Sequence, residues 1–174
     1  TSCTRTEFVG TAVLDTIGLV ISGVDASLLK EMNIGTKYHC LGLFSSRTGA
    51  AGQITAIDDA VKATNTEVLS IELPRDTKGW GGHGNYIVLG GNDVSDVRHA
   101  ISLALELTNK YAGEVYISES GHLEFAFSAS AGPAIHKAFG TPLGEAFGFM
   151  AGSPAAIGLV MADNAVKSAA VSIT

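Results

Sequence analysis

The sequence repeats itself. Residues 58–62 read DDAVK and residues 163–167 read DNAVK, an offset of 105. At that offset Ile54 lies over Leu159, Lys62 over Lys167 and Val68 over Ile173. LGLFSS (41–46) lies over FGFMAG (147–152) and ASLLKEMNIG (26–35) over GPAIHKAFGT (132–141), both at 106. One deletion in a loop accounts for the change of offset. Solenoid and propeller repeats run to about 50 residues, so a period near 105 makes each copy a small domain. The boundaries expected are 7–112 for the first unit and 113–174 for the second.

Within the first unit the elements follow from local pattern. TIGLVIS (16–22) is apolar and β-branched and predicts a strand. Asp25 is placed to cap a short helix carrying Leu28, Leu29 and Met32, ended by Gly35. YHCLGLFSS (38–46) predicts a second strand, and a helix with Ile54, Ile57 and Val61 follows, with Lys62 exposed near its end. TEVLSIEL (66–73) and NYIVLGG (85–91) predict two more strands around the loop 74–84. Asn92 or Asp93 then caps a long helix with Val94, Val97, Ile101, Ala104 and Leu105 on one face. The order β-α-β-α-β-β-α predicts an α+β fold with helices layered on each sheet. The second unit repeats it as strand 122–129, helix 131–139, strand 145–151, helix 155–168 and strand 170–174, and then stops. Without counterparts of the strand 85–91 and the helix 93–111, that unit keeps a broad apolar face bare. The natural chain is therefore expected to continue, or to have lost its end.

Composition points to a chain with neighbours. Charged residues make up 16% of the 174, where about 25% is usual, and a surface short of charge must be greasy or covered. The net charge of −6, with no Lys/Arg cluster, excludes a nucleic-acid partner. The charge-free stretch between Glu145 and Asp163 is broken by Gly148, Gly152, Pro154 and Gly158, so it reads as strand, turn and helix rather than a membrane span. No segment has the pattern of a secretory signal. Cys3 and Cys40 sit in unlike surroundings and make no disulfide framework, which favours a reducing cytosol.

TEFVGTA (6–12), ATNTEVLSIELPRDTKG (63–79), the loop through WGGHG, KAFGTPLGEAFG (137–148) and VMADNAVKSA (160–169) give the duplication a known counterpart. The chain resembles the circularly permuted, tandem form of the bacterial microcompartment shell domain, most of all the B-type shell proteins of propanediol and ethanol utilisation. The resemblance implies a homotrimer that imitates a hexagonal tile, lies edge to edge with other shell proteins in the cytoplasm and has no catalytic role. It also implies that Lys62 with Asn65, and Lys167 in the second copy, stand at the tile edge. Ala170 occupies the second copy's asparagine position, a departure from the pattern. Read without the family, each lysine is a solvated cation near a helix C-terminus, where the dipole favours it.

The loop Lys78, Gly79, Trp80, Gly81, Gly82, His83, Gly84 is the most unusual stretch. Its glycines free backbone amides to face a passing solute, and Trp80 and His83 can line a constriction. Hexameric relatives rim their pore with this loop, which implies weak contact with small polar metabolites; a tight surface turn with Trp80 packed down explains the residues equally well. It lacks the phosphate-loop spacing and the following helix. No cofactor is implied. The histidines at 39, 83, 99, 122 and 136 have no metal-ligand spacing, and His39 reads as a satisfied core residue. Asp58 and Asp59 read as surface groups, Glu119 and Glu124 as solvated carboxylates, and SSRTGAAG (45–52) lacks the setting of a nucleophile elbow. The other reading of the whole is a regulatory α+β module that holds a small molecule.

Overall fold

A computed structural model describes residues 5–74, 84–112, 116–119 and 121–174. Alternating apolar residues build two antiparallel sheets. The first joins β1 (Arg5–Ala12), β2 (Thr16–Ser22), β3 (Cys40–Ser46), β4 (Glu67–Glu72) and β5 (Asn85–Gly91) in the order β1-β2-β3-β5-β4. Between its strands run α1 (Ala26–Glu31) and α2 (Ala51–Lys62), and after β5 comes α3 (Val94–Tyr111). The second sheet is β6 (Tyr116–Ser118), β7 (Gly121–Ser128) and β8 (Phe147–Ser153), with α4 (Pro133–Phe139) between β7 and β8 and α5 (Ala156–Ser168) after them.

One face of the first sheet carries Val20, Phe44, Ile87 and Leu89, all buried with Ile54 and Ile57 of α2 and Val97, Ile101 and Leu105 of α3. The opposite face carries Leu41 and Val88, covered by Leu29 of α1 and by Val24. This alternation is the period-two rule at work. Close packing of α3 is possible because Gly18 and Gly42 face it: a Cβ at either would meet Ile101 within 3 Å. Asp25 and Asp93 cap α1 and α3, each accepting from an amide two residues on at 2.8 Å.

The α+β expectation and the repeat hold, with differences. Each repeat opens with a strand that was not among the expected elements: β1 pairs with β2 and β6 with β7. Val94, expected in the α3 core, is 41% exposed, at the first residue of the helix. The strand expected at 145–151 begins two residues later, since 143–145 fold into a turn that closes on Ala131 through Gly144 N to Ala131 O and Ala131 N to Glu145 O. The ladders pair Thr16 with Ser46 and His122 with Ser153. With β2 over β7 at 106, β3 therefore lies over β8 at 107, one residue from the sequence match, which would put every side chain on the wrong face. Residues 171–174 form no strand; β4, their counterpart, needs β5 as its partner, and no described residue pairs there.

Candidate functional site: the junction between the repeats

The most polar buried region lies where the two sheets' helices meet. Helix α2 of the first repeat packs against α4 and β7 of the second. Neither helix supplies its own side-chain cap: Gly132 precedes α4 and Ala50 precedes α2. Each borrows one from the other repeat.

Asp58, fully buried on α2, accepts from the amides of Gly132 at 2.8 Å, Ala134 at 2.9 Å and Ile135 at 3.1 Å. Three orphan donors at the start of α4 are thereby satisfied by one carboxylate. Lys62, one turn on, pairs with Asp58 at 2.8 Å and Asp59 at 3.3 Å and donates to Ser130 O at 2.6 Å. Burial pulls the Lys62 ammonium down, but hydrogen bonds and charge from Asp58 and then Asp59 outweigh it and leave its pKa raised. Asp59 also accepts from Tyr111 of α3 at 2.7 Å. Only Gly fits at 132, where a Cβ would fall 2.7 Å from Asp58 Oδ2 and against Lys62 Cε.

In the other direction Glu124 of β7, 2% exposed, accepts from the amide of Ala50 at 3.1 Å at the start of α2. Burial pushes its pKa up to about 7, opposed in part by the amides of Ala50 and Ala51. His122, on the same face of β7 and 3% exposed, has no partner at either ring nitrogen, and its Nε2 lies 3.7 Å from Glu124 Oε1. Burial lowers its pKa. Gln53 and Asn85 complete the cluster through Ser46, with Asn85 Nδ2 at 2.7 Å and Gln53 Nε2 at 3.5 Å.

Several expectations need correction. Asp58 is no surface group; it faces inward because α4 docks on it. Glu124 is buried, whereas Glu119 is exposed as expected. His39 is exposed, because β3 starts one residue later, at the half-buried free Cys40. Lys62 is exposed as expected, though its ion pairs hold the side chain at 34% exposure, while the side chain of Lys167 is 69% exposed with Asp163 as a partner. Asn65 is exposed in the turn after α2. Of the loop Lys78–Gly84, residues 78–83 lie outside the described residues, as does Cys3; Gly84 has a left-handed φ of 68°. The one signal that pointed to Asp58 was its repetition at Asp163.

Residues 40–120 match the BMC domain family. The chain is 52% identical to EtuB from Clostridium kluyveri, whose crystal structure superposes with a TM-score of 0.91, covering 97% of this chain and 74% of that one. The chain belongs to the bacterial microcompartment shell proteins. The crystal structure of a trimeric microcompartment shell protein PduB is 48% identical, with a TM-score of 0.89 over 95% of this chain and 73% of that one. The PduB shell protein of Citrobacter freundii is 55% identical over 172 residues, 99% of this chain, and the chain spans 64% of that protein's length. Among the described residues no helix is long and apolar enough to cross a membrane, and no group of His, Cys, Asp or Glu is placed to hold a metal ion.

Proposed function

We propose that the chain is a structural tile of a cytoplasmic bacterial microcompartment shell, not an enzyme, and that three copies close into a pseudohexamer. Each copy then supplies two units, 7–112 and 113–174. The observation that carries this reading is the likeness over nearly the whole chain to EtuB at 52% identity and to the trimeric PduB at 48%. The repeated DxAVK segment, on α2 in one unit and α5 in the other, supports two tile units per copy. The trimeric relative supports the stoichiometry.

At the outer edge, Lys62 with Asn65 and Lys167 are the groups assigned to contacts with neighbouring tiles. The loop 78–84 is assigned to the pore rim, where small polar metabolites are held weakly enough to leave. Native mass spectrometry tests the core of the reading. A trimer is expected. A monomer from the unmodified chain at micromolar concentration overturns it. Lys167→Ala should leave the trimer and impair extended sheets by electron microscopy, and unchanged sheets would remove the edge assignment.

A further inference from the structure

Glu124 and His122 belong to the second repeat alone. With β2 over β7 they stand where the first repeat has Gly18 and Thr16, so they are no general feature of the domain core. Both side chains are nearly solvent-free, 3.7 Å apart, at the N-terminus of a twelve-residue helix that belongs to the other repeat. Among the described residues no Lys or Arg answers the carboxylate, and no acceptor answers the imidazole. Of the described charged side chains on the adjoining segments, Arg47 before α2, Asp15 in the β1–β2 turn and Glu119 in the β6–β7 turn are exposed. The positions opposite on β8 are Ala151 and Ser153, which are uncharged. Two opposite charges sealed in such a place must recover a large desolvation penalty, and at 3.7 Å, without a hydrogen bond, they recover little of it.

We propose that Glu124 and His122 are a one-proton latch: closing the junction between the repeats moves a proton from the His122 imidazolium to the Glu124 carboxylate, so that the pair is buried neutral. On closure an N–H bond of His122 breaks and an O–H bond forms at Glu124; no other reactant takes part. The neutral carboxyl still accepts from Ala50 through its carbonyl oxygen.

The pH dependence follows with its sign. Burial raises Glu124 from an unfolded 4.5 to about 7, so its stabilisation of the closed form is complete below 4.5 and lost as pH rises to about 7. Burial lowers His122 from 6.5, so its contribution is complete above 6.5 and lost as pH falls through the lowered value. In the open form between about pH 4.5 and 6.5 the glutamate is charged and the histidine protonated. Closed and open forms then hold the same number of protons, and closure is flat with pH.

Hydrogen exchange at the Ala50 and Ala51 amides, expressed as an opening equilibrium to remove intrinsic pH effects, tests the balance on the whole chain. The unmodified protein should change little between pH 5 and 6.5. His122→Asn should unmask the glutamate, with opening rising about tenfold per pH unit across that range. Glu124→Gln should unmask the histidine and reverse the sign. Identical profiles for all three proteins overturn the proposal. Should a variant fail to fold, carbon NMR of the unmodified protein decides: at pH 6 a protonated Glu124 carboxyl beside a neutral imidazole supports the latch, and a carboxylate beside an imidazolium refutes it.

Discussion

Replacing Asp58 by alanine removes the acceptor for three amides at once and takes from Lys62, a third exposed, its nearer carboxylate, leaving Asp59 and Ser130 O. Loss of a helix cap alone costs about 0.5–2 kcal/mol. Breaking one side of a buried, hydrogen-bonded ion pair costs about 3–5 kcal/mol, because the remaining charge keeps its desolvation penalty. The two overlap, since the same oxygens serve both, so the expected loss is about 3–5 kcal/mol rather than their sum. At this chain length about 2–4 °C of melting temperature go with each kcal/mol, which gives a fall of roughly 6–20 °C by calorimetry or circular dichroism. The repeat provides its own control. Asp163→Ala removes the same letter from the same motif, but its pair with Lys167 is 53% and 69% exposed, and such pairs are worth about 0–1 kcal/mol. A second comparison isolates the lysine's charge: Lys62→Met added to Asp58→Ala should recover part of the loss, a coupling that a double-mutant cycle reads directly. Equal losses for Asp58→Ala and Asp163→Ala, both below about 1 kcal/mol, would refute the claim that the carboxylate holds the repeats together.

Gly132→Ala should lose about 1–3 kcal/mol, since its Cβ must displace Lys62 Cε and Asp58, and most of that loss should vanish in an Asp58→Ala background, as chemical denaturation would reveal. Gly52→Ala should also destabilise, against the helix preference for alanine, because its Cβ would sit 2.8 Å from the Ala112 backbone, which cannot swing aside. A gain in melting temperature would contradict that close approach of α2 to the end of α3.

What could be read from the residues is what depends on local pattern. The strand Asn85–Gly91, the caps Asp25 and Asp93 and the core face Val97, Ile101, Ala104 and Leu105 rest on alternation, turn chemistry and helical spacing. The junction was not legible, for a physical reason. An aspartate in mid-helix, or a glutamate between a leucine and a phenylalanine, has the composition of a surface group. What buries it is another element 74 to 77 residues away in the chain, and no window of sequence contains both partners. His39 failed in the opposite way: an apolar neighbourhood implied a core, but the strand begins after it.

The borrowed caps also change what the duplication means. Two domains joined by a surface linker can unfold separately. Here α4 lacks its three-amide partner without α2, and α2 lacks its N-terminal acceptor without β7, so opening the junction leaves orphan donors on both sides. Each repeat thus carries the other's missing half-caps, and the two are expected to melt in a single transition. A tile assembled from tandem units needs that property, because any hinge between them would let the plate buckle.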